Sequence, residues 1–163
     1  MENVLMSMCI IGVCCRYNGK KAKKILTNSI EKKIKINYNI IPVCPEQLGG
    51  MSTPRLCCEI IGGDGFNIID DIYGVNVINS NKENLTKSFL KGAEETLKIA
   101  KFYNTRIMIT QSNSPSCSSC NIYDGSFNSS IIKGFGVTSA YLKKELNMNF
   151  IDVLDLERWI SLW

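Results

Sequence analysis

Apolar residues come in short blocks along this chain, and their spacing switches between strand and helix periods. Val4 to Met8 predicts a buried strand that ends at Cys9-Ile10-Ile11-Gly12. Asn18-Gly19 is a turn signal, and from Lys20 to Lys35 the residues Ala22, Ile25, Leu26, Ile30 and Ile34 recur at helical spacing. Ile40 to Val43 predicts a second strand, weakened by Pro42, which runs into Cys44-Pro45-Glu46. Cys57 to Ile61 and Phe66 to Asp70, split by Gly62-Gly63-Asp64-Gly65, predict two short strands of a hairpin. Tyr73 to Asn81 is Asn-rich and is expected to be irregular.

Asn84 or Thr86 is placed to cap a helix in which Leu85, Phe89, Ala93, Leu97 and Ala100 form one face to about Phe102. Arg106 to Thr110 predicts a third strand that enters the loop Ser112 to Cys120. Gly136 to Leu146 predicts a helix stopped at Asn147, Phe150 to Leu154 a last strand, and Asp155 the cap of a short helix carrying Trp159. The alternation points to an α/β fold: one three-layer, doubly wound domain over residues 1–163, with a mainly parallel sheet and a small hairpin insertion. Ligands of such sheets bind beyond the carboxyl ends of the strands, at a topological switch point.

Composition narrows the chemistry. The chain has eight cysteines and no histidine. That removes Ser-His-Asp and Cys-His catalysis and every zinc site that needs an imidazole. No apolar run reaches a membrane span, and Met1-Glu2-Asn3 lacks a basic secretory start, so a cytoplasmic setting is expected. There, cysteines favour metal or redox chemistry over a disulfide framework. A net charge of +4 permits an anionic ligand without requiring nucleic acid, and the Lys20–Lys24 cluster fits a solvated helix face.

The cysteines divide by position. Cys9, Cys44 and Cys117 each lie just past a predicted strand, so a parallel sheet would bring them to one rim. Soft thiolates there suit zinc, copper(I) or an iron-sulfur cluster, while buried packing is the competing reading of each. Cys14, Cys15, Cys57 and Cys58 read as packing residues. Cys117-Ser118-Ser119-Cys120 is a C-x-x-C without a second one to complete a zinc site. Glu46 would stand on the same rim as a general acid or base, or as a solvated loop charge. Ser114 would touch a ligand or merely make the turn, and Arg16 and Arg55 would hold an anion or a carbonyl oxygen.

Taken in order, these residues closely resemble the 2-thiouracil desulfurase family. The resemblance spans nearly the whole chain. It rests on Ser7-Met8-Cys9-Ile10-Ile11-Gly12 with Cys15-Arg16-Tyr17-Asn18-Gly19, and on Pro42-Val43-Cys44-Pro45-Glu46 with Gly49-Gly50 and Thr53-Pro54-Arg55. Phe89 with Gly92-Ala93, Ser114-Pro115-Ser116-Cys117, Tyr123 to Phe127, and Gly134 to Val137 complete it. The resemblance implies a 4Fe–4S cluster on Cys9, Cys44 and Cys117, and removal of sulfur from a thiolated pyrimidine base, nucleoside or nucleotide. Glu46 and Ser114 are then expected near the chemistry. An open cluster iron would bind the substrate sulfur, water would replace it, and sulfide would leave. The chain departs from the family pattern at Gln111, often lysine, and at Ser118, usually glycine; both would flank the pocket. Arg16, Arg55 and Gln111 are the expected substrate-binding residues. A non-catalytic cluster or sulfur carrier is the alternative, with no membrane or stable nucleic-acid partner.

Overall fold

The computed structural model describes residues 1–20 and 26–162. Four strands build the central sheet: β1 (Glu2–Ser7), β2 (Tyr38–Val43), β5 (Ile107–Thr110) and β8 (Asn149–Asp152). Their spatial order is β2-β1-β5-β8, and all three pairings are parallel. The chain moves outward from β1 to β2 and then back across β1 to β5. The switch point therefore falls between β1 and β5, as the doubly wound expectation requires.

Side-chain alternation along β1 divides the core into two layers. Val4 and Met6 join Ile109 on the face covered by Ile30 and Ile34 of α1 (Asn28–Asn37) and by Leu156 and Ile160 of α6 (Leu156–Ile160). Leu5 joins Met108 on the opposite face, against Leu97 and Ala100 of α4 (Thr86–Phe102) and Leu142 of α5 (Val137–Leu146). Among the described residues no helix is long and apolar enough to cross a membrane.

The predicted Lys20–Lys35 helix is observed only in its second half. The Thr27 hydroxyl accepts from the Ile30 amide and starts α1 there; Ala22 and Ile25 lie outside the described residues. At the far end of the chain, Asn147 stops α5 in the left-handed region (φ 48°), as its short polar side chain allows. Leu85, not Asn84 or Thr86, is the cap position of α4. The Asn84 side chain accepts from the Thr86 amide, and the Thr86 hydroxyl is taken by the Val77 amide. The last strand ends at Asp152, whose carboxylate accepts from the Leu154 amide and turns residues Val153–Asp155 into a single 3-10 turn.

The expected hairpin is wrong in its second half. Phe66 to Asp70 is not a strand: Gly65–Ile69 forms a helix, α3. Asp64 accepts from the Phe66 and Asn67 amides, and the Asn67 side chain accepts from the Asp64 amide, a complete capping box. A five-residue segment with three apolar positions cannot distinguish strand from helix by period; the cap decided it. The strand that pairs with β3 (Cys58–Ile61) is instead β4 (Asn76–Asn79), inside the segment expected to be irregular. Its asparagines serve the turn that follows, where the Asn79 side chain accepts from the Asn81 and Glu83 amides. A second small pair, β6 (Asn121–Tyr123) and β7 (Ile131–Lys133), follows the cysteine loop.

Two close backbone approaches fix the elements that carry the site. The four-residue helix α2 (Pro45–Leu48) lies directly on α4, and a Cβ added at Gly92 would stand 2.1 Å from the Pro45 carbonyl oxygen. A Cβ at Gly49 would meet the Ser88 carbonyl oxygen at 2.2 Å. Both neighbours are backbone, which has little room to give. Gly92→Ala is expected to lower stability by about 1–3 kcal/mol, the usual cost of overpacking, read as a reduced urea midpoint with unchanged slope.

Candidate active site

Parallel register brings the three predicted thiols together. Ser7 is opposite Val43 across β1 and β2, so Cys9 and Cys44 leave the sheet at the same edge. After Ser7 the chain makes a single 3-10 turn, Met8–Ile11, closed by Gly12 at φ 90°. Cys117 arrives from the loop after β5, and its sulfur accepts a hydrogen bond from the Ser7 hydroxyl at 3.2 Å. A cavity of about 530 Å³ opens over this edge, lined by Cys9, Cys44, Cys117, Glu46 and Ser114 among others.

The cysteine loop is bolted to the start of α5. The Val137 amide donates to Pro115 O and the Thr138 amide to Ser116 O, while the Ser139 hydroxyl donates to Cys117 O at 2.7 Å. A Cβ at Gly136 would stand 2.5 Å from Ser116 backbone atoms, so only glycine permits this approach. Ser114 makes the turn and also faces the cavity. Its oxygen accepts from the Ser116 and Cys117 amides, both at 3.2 Å, and from the Cys117 thiol at 3.4 Å.

Glu46 and Arg55 form a largely buried ion pair at the cavity wall. The Nε–H of Arg55 donates to Glu46 Oε2 at 2.6 Å, and its Nη2 also reaches that oxygen. The remaining donors go to Ser52 O, Thr53 Oγ1 and Cys15 O, each at 3.1 Å. The Arg55 guanidinium is thus engaged by protein acceptors, with Glu46 held through a single carboxylate oxygen. Arg16 and Gln111 both line the cavity, and the Cys9 thiol points to Gln111 Oε1 at 3.9 Å.

Cys15 packs in the core, as expected, and also reaches the site. It is buried and lines the cavity, and its thiol shares hydrogen bonds with both Cys9 and Cys44. Its place immediately before Arg16-Tyr17-Asn18-Gly19, in the motif that carried the resemblance, was the available signal. Cys57 and Cys58 line the cavity as well. Cys120 does not belong to it; its thiol donates to Asp152 Oδ2 at 3.5 Å. Asp152 also accepts from Ser112, tying the loop to the end of β8.

Three of the cavity thiols, Cys117, Cys15 and Cys44, resist ionisation. Burial pushes Cys117 up to about 11, against the lowering effect of its hydrogen bonds with Ser114 and Ser7. The bond to Cys44 lowers Cys15, but the bond to Cys9, burial and repulsion from Cys9 outweigh it and hold Cys15 at about 11. The bond with Cys15, then burial, drives Cys44 far up. Three crowded thiols that are costly to ionise favour positive charge beside them.

Fold and site together define a doubly wound α/β protein with a thiol-walled cavity at its switch point. The 2-thiouracil desulfurase family model matches residues 4–153, and the chain belongs to that family. The chain is similar to the uncharacterized protein YbbK of Bacillus subtilis (strain 168), 41% identical over 143 residues that cover 86% of this chain and 89% of YbbK. It is also similar to the solved structure of TudS, a [4Fe-4S]-dependent thiouracil desulfidase. The TM-score is 0.80 and the identity 27%, with both chains covered in full.

Two measurements follow from this geometry. Arg55→Ala strands the Glu46 carboxylate in a largely buried place and is expected to cost about 3 kcal/mol in a denaturant titration. A raised thiol pKa contributes stability that is fully present below the unfolded value of 9.0 and is lost as pH rises through the folded value. Metal-free protein should therefore lose stability between pH 9 and about 11, and Cys117→Ser should remove roughly 2–3 kcal/mol of that dependence.

Proposed function

We propose that the cavity binds a 4Fe–4S cluster through Cys9, Cys44 and Cys117 and hydrolytically removes sulfur from a thiolated pyrimidine. The observation that carries the reading is the meeting of three thiols from separate strand ends beside a buried, arginine-held carboxylate. The donor set fits the group. It is all soft sulfur with no imidazole available, and the thiols come from three separate segments. Among the described residues no three Cys, Asp or Glu close on a single metal ion. A cluster does not need that, because each of its cysteines holds a different iron.

When bound, such a cluster supplies an iron free of cysteine, a Lewis acid for the thiocarbonyl sulfur. The chain does the rest. Arg55 occupies Oε2 of Glu46, which leaves Oε1 to take the proton of the attacking water. Glu46 then returns that proton to the ring nitrogen or the departing sulfur. The water oxygen forms the new carbon–oxygen bond, the carbon–sulfur bond breaks, and sulfur leaves as sulfide with no change of oxidation state. Ser114, whose oxygen is engaged as an acceptor by the loop, keeps its own proton to donate to a heteroatom of the ring. Ser7 donates to Cys117 Sγ and offsets the negative charge of that thiolate.

Anaerobic reconstitution with iron and sulfide, followed by metal and sulfide quantification and by loss of 2-thiouracil absorbance, tests the reading. Cys9→Ser, Cys44→Ser or Cys117→Ser should abolish cluster retention. Glu46→Gln should retain the cluster and lower the rate by roughly 10²–10⁴-fold. A loaded protein inert towards every thiopyrimidine would refute turnover and leave a cluster or sulfur carrier.

A further inference from the structure

In the lining of the same cavity, one buried carboxylate is spent on a loop. Glu59 lies on β3 at 7% exposure, and its Oε2 accepts from the amides of Gly125 and Phe127, both at 3.0 Å. Among the described residues it forms no ion pair with a cation. The loop it holds, Asp124 to Ser130, is further closed by the Asp124 amide on Ser130 O. Gly125 sits at φ 88°, and a Cβ there would stand 2.7 Å from Ile60 O, so the loop lies hard against β3.

Phe127 itself is at φ 61°. A bulky residue in the left-handed region is a steric outlier that surrounding contacts must hold in place. Glycine would take that conformation without cost. Phenylalanine places an aromatic ring in the cavity wall, half-buried, with the Lys82 ammonium 4.7 Å from its centroid. The other aromatic groups of the wall are less suited to fixing a ligand. Tyr17 is 42% exposed, and Tyr123 is tied into the β6–β7 pair.

We infer that Phe127 is the wall against which the pyrimidine ring stacks, and that Glu59 is the positioning residue that holds it there. This rests on the thiopyrimidine reading of the same cavity. A flat, electron-poor ring gains from an aromatic face, and stacking does not depend on which ring carbon bears the sulfur. The Glu59 bond fixes the backbone of Phe127 before substrate arrives, so little ordering cost remains at binding.

The test uses cluster-loaded protein prepared anaerobically, with uracil as an unreactive probe for calorimetric titration and 2-thiouracil for steady-state kinetics. Phe127→Ala should raise the uracil Kd and the thiouracil KM by roughly 5- to 150-fold, the range for loss of a base–aromatic stack, while kcat and iron content hold. Phe127→Tyr should restore both. Glu59→Gln should raise KM by a smaller factor, about 3- to 10-fold. Phe127→Gly separates binding from structure, because glycine relieves the backbone: its thermal midpoint should hold or rise while uracil binding falls. Unchanged KM and Kd in Phe127→Ala, with wild type turning over, would overturn the wall and leave the catalytic reading intact. Uracil binding that depends on Phe127 in a protein that consumes no thiopyrimidine would overturn turnover and leave the wall. A wild type that neither binds uracil nor consumes a thiopyrimidine would overturn both.

Discussion

Parallel pairing of β1 with β2 on one side and β5 on the other is the constraint from which the site follows. A parallel sheet sends every strand's carboxyl end to the same edge, and the reversal of winding beside β1 leaves a crevice there. Ser7 and Val43 share a register position, so the turns that carry Cys9 and Cys44 start level with each other. The loop after β5 then has only to double back to bring Cys117 within 3.2 Å of the Ser7 hydroxyl. Antiparallel pairing of any of these strands would send its cysteine to the opposite end of the molecule.

Around that edge, charge and close packing divide the work. The Glu46–Arg55 pair takes a carboxylate out of water and fixes one of its oxygens. The desolvation penalty of such a pair is repaid only when the remaining hydrogen bonds are satisfied, and Arg55 meets this through Cys15 O, Ser52 O and Thr53 Oγ1. Glycines supply the mechanical precision. Gly49 and Gly92 let α2 touch α4 along the backbone, and Gly136 lets the cysteine loop meet the start of α5. The thiol edge is therefore held by rigid elements, the condition for a preorganised site.

Much of this was legible before folding. Strand ends followed by cysteine, helical periods with polar opposite faces, and the Asn147 stop signal are local features, and local physics produces them. The failures were also physical. Phe66 to Asp70 became a helix because Asp64 and Asn67 cap each other, a detail that outweighs a short apolar run. Asn76–Asn79 became a strand because β3 offered it a partner, since sheet preference belongs to context more than to residue type. Cys15 packs in the core as its sequence suggests, and only the fold shows that it lines the cavity as well.

By itself, the sequence determined the chemistry available: eight thiols, no imidazole, and a Cys-Pro-Glu segment placed after a strand. It also determined the α/β alternation, because periodicity depends on neighbouring residues alone. Only the tertiary structure decided which thiols share a cavity, that Arg55 serves Glu46, and that Glu59 holds a strained Phe127 in the wall. Those pairings join residues 9, 68 and more positions apart in the chain. Spacing along a chain carries no information about such contacts until the sheet closes and sets the distances.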